Sequence, residues 1–350
     1  MLIQNGTVAL LEKPLKKPLF FRNQPTNALK SVVVTLVSNS GIGQAEAPSS
    51  LYPEIMLENL YHVLDENVLP LLVGKNISSL ENLRELLGMW AEMPLVFAML
   101  EMAWWNLLAA EKNQPLCQTL GADSVSQQLF TPLDRPLPDA EGFYVADDFM
   151  NELATLVEKG YVHLELKIRP GWDLAMVRYV RQDFPELSFH LDVEGQMSPQ
   201  QNDTLLQFRD FFPYMIEQPF AFDNLTDHAD LQEMLTCPVC LDESITSPNV
   251  ARSAIRWNAC KCVKIHPLRV GGFAAAKEIV ELCRDAHVGC WISSPLQTAV
   301  GMNHCLALSC LDGFTGPFEY YDPETYFQDP GTAPWPSTER DEENTLRIRF

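Results

Sequence analysis

Residues 188–192 read Ser-Phe-His-Leu-Asp, residues 213–217 read Pro-Tyr-Met-Ile-Glu, and residues 238–242 read Pro-Val-Cys-Leu-Asp. Each segment is a short, mainly apolar run, and the acidic residues that end the three runs are 25 residues apart. Similar runs at nearly the same spacing end at Lys167, His266 and Trp291. One apolar run for about every 25 residues indicates a repeat of one strand, one helix and two short loops.

The chemistry at the strand ends favours a barrel over a doubly wound sheet. In (β/α) barrels the active site is assembled from residues at the C-terminal ends of the strands. A doubly wound sheet instead concentrates its ligands at one switch point, usually after a glycine-rich first loop. No GxGxxG or P-loop pattern follows any of these runs. We therefore predict a parallel α/β barrel.

The N-terminal part of the chain, up to about residue 125, has a mixed character. The β-branched run Ser31–Val37 predicts a strand. Apolar residues at helical spacing predict helices over Glu54–Leu69, Ser79–Met89 and Leu95–Lys112. The tail is rich in proline and acidic residues and ends in the strand-like Leu346–Phe350, which predicts either an extended segment returning over the N-terminal part or partial disorder.

Composition excludes several classes of protein. The chain has 350 residues, and 47% of them are hydrophobic, which is ample for a buried core. Its 25 basic and 46 acidic residues give a net charge of −21, which argues against nucleic acid or an anionic membrane as a partner. The apolar stretch 93–110 contains Glu101 and is short for a membrane span.

The cysteines and the N-terminal sequence indicate the cellular compartment in which we expect the protein. There are nine cysteines, an odd number in a long chain, which predicts free thiols in a reduced cytoplasmic setting. No uninterrupted apolar segment follows a basic start at the N-terminus, so we expect no signal peptide.

Three acidic residues, Asp192, Glu217 and Asp242, end successive predicted strands. Carboxylates brought together at a barrel mouth repel one another unless a cation neutralises them, and oxygen ligands suit Mg²⁺, with Mn²⁺ as the alternative. The competing interpretation is that each acid is a solvated strand-end residue. Glu194 and Glu243 are candidates for additional ligands or for groups that support the ligands.

Two basic side chains flank these acids on the second and sixth strands of the repeat. Lys167 is a candidate base, because a lysine beside a divalent cation and partly desolvated can have its pKa lowered. His266 is a second candidate, since histidine ordinarily titrates near neutral pH. The simpler alternatives are a salt bridge from Lys167 to a metal-site carboxylate and a hydrogen-bonded strand-end role for His266.

Longer motifs give the chain a resemblance to a known family. These motifs are, in order along the chain, PLKKPLFF, GIGQAEA, LEMAWWNLLA, LELKIRPGWD, LDVEG, IEQPF, LDESI and KIHPLRVGGF. On these motifs the chain resembles the enolase superfamily, in particular the o-succinylbenzoate synthases and N-succinylamino acid racemases of the muconate lactonizing enzyme-like subgroup. The resemblance covers residues 10–320.

The resemblance implies a (β/α)7β modified TIM barrel over residues 126–319 and an α+β capping domain over residues 1–125, to which residues 320–350 return. It implies Asp192, Glu217 and Asp242 as metal ligands and Lys167 as the catalytic lysine. The implied reaction is removal of the proton α to a metal-bound carboxylate through an enediolate. Capping-domain loops near Phe20–Thr26 and Ser49–Tyr52 would shape the substrate pocket.

The sequence departs from the family pattern in its acid/base residues. The family has Lys-x-Lys on the second strand, where this chain has Glu165 before Lys167, and a neighbouring Glu should raise the pKa of Lys167. The opposing lysine of the sixth strand is His266, with Lys264 two residues earlier. Glu194 replaces an Asn. The seventh-strand segment, Gly-Gly-Met-Leu-Glu in the family, contains three further candidates for substrate or supporting contacts, Ser293, Ser294 and Gln297.

Three functional hypotheses follow. The first is a Mg²⁺-dependent lyase resembling o-succinylbenzoate synthase, an enzyme of menaquinone biosynthesis, with Lys167 as its base. The second is a racemase, epimerase or dehydratase of another carboxylate, such as an N-acyl amino acid, that uses Lys167 and His266. The third is a catalytically retired metal-binding barrel. The expected ligand is a small carboxylate, and whether the protein is a homo-oligomer stays open.

Overall fold

The computed structural model describes residues 1–21, 24–123, 126–134, 146–168, 173–331, 334–342 and 345–349. Part of the expected pocket loop Phe20–Thr26, at positions 22–23, lies outside the described residues. So do positions 169–172, the second half of the LELKIRPGWD motif.

The chain begins with an antiparallel sheet of three strands in the order β1-β2-β3. These are β1 (Ile3–Phe21), β2 (Gln24–Ser38) and β3 (Gly41–Pro48), and the predicted strand Ser31–Val37 lies within β2. Val32, Val34 and Leu36 alternate along β2 with their side chains fully buried, which gives the sheet one apolar face.

Five helices follow the sheet: α1 (Glu54–His62), α2 (Leu69–Leu72), α3 (Leu80–Leu87), α4 (Pro94–Lys112) and α5 (Leu116–Leu120). The predicted helix Glu54–Leu69 is α1 continued by a π-helical segment to Val68. Helix α3 ends two residues before the predicted end because Gly88 takes a positive φ of 55°. Helix α4 packs so closely on β3 that a Cβ on Gly43 would lie 2.0 Å from the carbonyl oxygen of Ala103.

The rest of the chain alternates strands and helices. The order is β4 (Ser126–Leu133), α6 (Ala146–Glu158), β5 (His163–Lys167), α7 (Asp173–Asp183), β6 (Ser188–Asp192), α8 (Asn202–Gln207), β7 (Ile216–Glu217), α9 (Leu225–Met234), β8 (Val239–Leu241), α10 (Pro248–Arg256), β9 (Cys262–Ile265), α11 (Pro267–Val270), α12 (Phe273–Ala286), β10 (Gly289–Ile292), α13 (Ala299–Ser309) and β11 (Phe318–Glu319).

Strands β4 to β10 pair in sequence order, all in parallel, and β11 pairs in parallel with β4. Within the described residues this is a (β/α)7β arrangement, which confirms the parallel barrel predicted from the repeat and the form that the family resemblance implied. The six strands β5 to β10 end within one residue of the chemically distinctive positions of the 25-residue repeat. The predicted domain boundary at 125/126 stays a prediction, and β4 begins at Ser126.

The C-terminal segment contacts both parts of the molecule. It contains α14 (Pro323–Tyr326), β12 (Ser337–Arg340) and β13 (Leu346–Arg349). Phe327 forms a bridge to Leu15 of β1, whereas β13 runs antiparallel to β4 of the barrel. In the part of the chain that the structure describes, no helix has the length and apolar character needed to cross a bilayer.

Two buried carboxylates from the N-terminal part cap helices of the barrel. Glu46 of β3 accepts hydrogen bonds from the backbone N–H of Thr298 at 3.0 Å and of Gly301 at 3.0 Å, at the start of α13. Glu101 of α4 accepts hydrogen bonds from the N–H groups of Phe273 and Ala274, at 2.7 and 2.9 Å, at the start of α12. A negatively charged group is stabilised at a helix N-terminus, so these contacts hold the N-terminal part of the chain against the barrel.

Glu101 makes the stability of this junction depend on pH. Burial raises its pKa from 4.5 to about 7, against the effect of the N–H donors. A carboxyl group whose pKa is raised on folding stabilises the fold below its unfolded pKa and loses that contribution as pH rises through the folded pKa. The free energy of unfolding should therefore fall by roughly 3 kcal/mol between pH 4.5 and pH 7 on account of this group.

We expect Glu101→Gln to remove this pH dependence, because the amide does not titrate. Urea unfolding of both proteins at pH 5 and pH 8 measures this dependence. Between these pH values, the free energy of unfolding of the wild type should fall by roughly 3 kcal/mol more than that of the variant. Glu111→Gln, an exposed change on the same helix, should lose as much as the wild type. Equal losses in wild type and Glu101→Gln would contradict the prediction.

Candidate active site

A cavity of about 1150 Å³ opens at the C-terminal ends of the barrel strands. The barrel contributes the strand-end residues Lys167, Asp192, Glu217 and Asp242 to its wall. Both capping loops that were expected to shape the pocket also contribute, and the residues concerned are Phe20, Ser50 and Leu51. The cavity is thus enclosed by the barrel mouth and the N-terminal part of the chain.

Strand register brings the predicted acids together. Lys167 pairs with Asp192 across β5 and β6, and Asp192 pairs with Glu217 across β6 and β7. Asp192, Glu217 and Asp242 are all buried below the cavity surface. Burial raises the pKa of Asp192, and raises that of Glu217 well above its usual range.

Each of these acids contacts a basic side chain of its own. The ammonium of Lys167 lies 2.5 Å from Asp192, and that of Lys264 lies 3.0 Å from Glu217. The guanidinium of Arg269 donates two hydrogen bonds to Asp242. Arg269, on α11, was not among the predicted site residues, although it lies within the KIHPLRVGGF motif.

Lys167 is surrounded by acids. Besides Asp192 it lies 2.7 Å from Glu165 and 3.3 Å from Glu194. Burial alone would lower its pKa, but these three carboxylates outweigh burial and hold the pKa well above the usual range. The predicted effect of Glu165 on Lys167 is therefore confirmed in direction. The Lys167 side chain remains 14% exposed and lines the cavity.

Beneath the mouth lies a second, fully buried cluster. Glu165, His190 and Glu217 each present a ligand atom, and these atoms all lie within 4.8 Å of one another. A buried set of two carboxylates and an imidazole has the donor chemistry of a divalent-metal site. The sequence analysis did not identify His190 or Glu319 as site residues. Glu319 forms an ion pair with Lys264 at 3.3 Å. Polar residues alternate along β5 at His163, Glu165 and Lys167. This pattern in the sequence could have predicted a row of polar side chains that face the barrel interior.

The mouth also fits a divalent cation. Its three carboxylates are acceptor groups without protons when ionised, and they come from adjacent strands around one open cavity. Hard oxygen donors of this kind suit Mg²⁺ or Mn²⁺. Glu243 is half-buried beside them, and desolvation first and Asp242 second hold its pKa well above the usual range.

His266 does not lie where the sequence analysis expected it. Its Nδ1 accepts a hydrogen bond from the N–H of Leu268, and its Nε2 lies 3.5 Å from Sγ of Cys305 on α13. It is buried and absent from the cavity wall. Burial, and after it Arg269, lower its pKa to about 3, so the expectation of titration near neutral pH is wrong.

Some of the remaining predicted site residues line the cavity wall, and the others are buried behind it. Glu194, Glu243, Lys264 and Ser293 line the cavity. Ser294 and Gln297 are buried behind it, where the side-chain amide of Gln297 donates to the hydroxyl of Ser294 at 3.0 Å. Tyr321, which follows β11, lines the cavity although no sequence motif had singled it out.

Comparison with known proteins agrees with this geometry. The family model described as "Enolase C-terminal domain-like" matches residues 148–343. The chain is 31% identical to an N-succinylamino acid racemase of Thermus thermophilus over 336 residues, covering 94% of this chain and 88% of the relative. It is 33% identical to an o-succinylbenzoate synthase of Geobacillus kaustophilus over 312 residues, covering 88% of this chain and 81% of the relative.

Solved structures share the fold. A member of the enolase superfamily from Listeria innocua superposes with a TM-score of 0.87 at 25% identity, covering 100% of this chain and 92% of that one. A dipeptide epimerase of Enterococcus faecalis, solved with Mg and the dipeptide L-Leu-L-Tyr, superposes with a TM-score of 0.82 at 18% identity, covering 100% and 97%.

The position of His266 leads to a spectroscopic prediction. With its pKa near 3, the imidazole should stay neutral from pH 5 to pH 8. In ¹⁵N NMR of histidine-labelled protein, the signals assigned by their loss in His266→Asn should not shift over this range. Free histidine in the same buffer titrates within it. A shift of the His266 signals centred near pH 6.5 would contradict the burial described above.

Proposed function

The chain belongs to the enolase superfamily, and on that premise we propose that it is a metal-dependent carbon–oxygen lyase of the o-succinylbenzoate synthase type. The observation that carries the proposal is the placement of its bases. Lys167 lines the cavity and is partly exposed, whereas His266 is buried away from the cavity. Removal of a proton and loss of water from one face needs only one acid/base group.

Asp192, Glu217 and Asp242 would hold the divalent cation, which we propose to be Mg²⁺, with Mn²⁺ as the alternative. When bound, such a cation neutralises the substrate carboxylate and the negative charge that develops when the α-proton leaves. The contacts of Lys167 with Asp192 and of Lys264 with Glu217 support this role, because each ammonium offsets part of the rise in carboxyl pKa that burial causes.

Lys167 performs the proton transfers in this proposal. When Asp192 is engaged by the cation instead of by the ammonium, the pKa of Lys167 falls, because one of the carboxylates that raise it is neutralised. As the free amine, its Nζ then takes the proton from the carbon next to the carboxylate, and the C–H electrons form a C=C bond. The C–O bond to the β-hydroxyl breaks, and the Lys167 ammonium returns the proton to that oxygen, which leaves as water. Phe20 and Leu51 on the cavity wall limit access of solvent to the reacting carbon.

A racemase of N-acyl amino acids is the second candidate. It is favoured by the similarity to the Thermus relative, whose name states that activity, over 94% of this chain. Racemisation through two bases requires a second acid/base group on the opposite face of the α-carbon. His266 does not reach the cavity wall, which is why we place this candidate second.

Lys167→Ala should abolish the lyase reaction. With Mg²⁺ and the hydroxylated cyclohexadiene-carboxylate precursor of o-succinylbenzoate, we expect the wild type to form product and the variant to lose about 10³-fold in kcat/KM, the usual contribution of general acid–base catalysis. Lys261→Ala, a change of an exposed lysine immediately before β9, should leave the rate unchanged. No product from the wild type, together with Mg²⁺-dependent binding of carboxylates, would instead indicate a retired barrel.

Deuterium exchange separates the two candidates. In D₂O, we expect Lys167 to exchange the α-hydrogen of only one enantiomer of an N-succinyl amino acid, because the base lies on one face of the bound substrate. ¹H NMR of each enantiomer separately measures the exchange, and His266→Asn should behave like the wild type. Exchange of both enantiomers at similar rates would favour the racemase.

A further inference from the structure

The ammonium group of Lys264 is held in the buried cluster beneath the barrel mouth. Its Nζ lies 2.7 Å from Glu165, 3.0 Å from the nearer oxygen of Glu217 and 3.3 Å from Glu319. The side chain is only 2% exposed. On its apolar side the ammonium faces the ring of Phe130, with 5.3 Å between Nζ and the ring centroid.

Two members of this cluster are also members of the set that could hold a metal ion. Glu165 and Glu217 contact Lys264, and each also lies 3.2 Å from Nε2 of His190. The ammonium therefore occupies the place at which a cation would neutralise these carboxylates. A metal ion bound to Glu165 and Glu217 would have to lie where Nζ now lies, 2.7 and 3.0 Å from their oxygens, so the cluster accommodates the ammonium or a metal ion, not both.

Lys264 is more deeply buried than the two other basic side chains of the site. Lys167 and Arg269 are each 14% exposed and reach their acids from the cavity side. Lys264 also lines the cavity, but its side chain is only 2% exposed and three carboxylates hold it. Its departure would take the ammonium contact away from Glu217 and Glu319 and leave Glu165 with that of Lys167 alone, which is costly for buried carboxylates.

We propose that Lys264 acts as a built-in cation that keeps divalent metal ions out of the Glu165–His190–Glu217 cluster. The metal ion is thereby confined to the mouth, where it can meet a substrate carboxylate. Lys264 is a positioning residue in this scheme, because it acts through Glu217 and does not touch the reacting atoms. This inference rests on the proposed function only for the statement that a metal ion binds at the mouth.

The sequence departures at these positions fit this role. The family pattern places a lysine at position 165, on the second strand, where this chain has Glu165. The chain carries Lys264 on the sixth strand, and the two side chains meet 2.7 Å apart. A carboxylate at position 165 creates a donor set that would attract a metal ion, and the lysine at position 264 fills it.

Two double variants with the same net charge test the proposal. Lys264→Met with Glu319→Gln removes the ammonium and one carboxylate but keeps Glu165, His190 and Glu217. Lys264→Met with Glu165→Gln removes the ammonium and one member of the donor set. Each loses one positive and one negative charge, so neither leaves an additional uncompensated charge in the barrel. Circular dichroism and thermal unfolding check that both are folded.

Co²⁺ is the probe, because its visible spectrum responds to nitrogen ligation and coordination geometry. We expect the wild type to bind one equivalent, the Glu319→Gln double variant to bind one equivalent more, and the Glu165→Gln double variant to bind as many as the wild type. The additional ion should show the stronger absorption of a site with an imidazole ligand. Lys261→Met, at an exposed position of the same segment, should match the wild type.

Results other than these contradict either the role of Lys264 or the proposed metal site at the mouth. An unchanged stoichiometry in the Glu319→Gln double variant overturns the role of Lys264, and so does an additional ion in both double variants. If the Glu319→Gln double variant does not fold in the absence of metal, Co²⁺ should restore its circular dichroism spectrum to that of the wild type, and failure to do so also overturns the role. If the wild type binds no Co²⁺ but the variant binds one equivalent, the mouth site fails while the role of Lys264 stands.

Discussion

The parallel register of β5, β6 and β7 is the constraint on which the site depends. It sets Lys167 beside Asp192 and Asp192 beside Glu217. Side chains alternate between the two faces of a strand, so a slip of one residue would turn the acids away from the barrel interior. The same alternation carries His163 and Glu165 inward below Lys167, and His190 inward below Asp192. The barrel interior is therefore polar from the mouth down to its middle layer.

A polar barrel interior is stable only if its charges compensate one another. Removing a charge from water costs several kcal/mol, and a close opposite charge offsets that cost when the geometry is good. Here Glu165 is shared by two ammonium groups, Lys167 at 2.7 Å and Lys264 at 2.7 Å. Since carboxylates outnumber basic groups around the mouth, the site retains a negative balance that suits a divalent cation. Part of the net charge of −21 is thus carried by carboxylates at the barrel mouth, where they suit a divalent cation.

The N-terminal part of the chain completes the cavity and is held in place by buried carboxylates. Glu46 and Glu101 each bond to the first backbone N–H groups of a barrel helix. Because both helices follow barrel strands, these contacts orient the capping sheet relative to the mouth. The wall residues Phe20 and Leu51 then lie over the strand ends. The strand-end acids and part of the wall that encloses them are in this way supplied by different parts of the fold.

The sequence by itself determined the barrel and its ring of strand-end acids, because a repeat of 25 residues with polar strand ends is encoded locally in each unit. Tertiary structure alone decided the direction of His266: the residue follows the end of β9 and starts α11, so the alternation of a strand no longer governs its side chain. It also decided the partner of Lys264. That lysine and Glu165 are separated by 99 residues, and only closure of the barrel brings the second and sixth strands close enough for their side chains to meet.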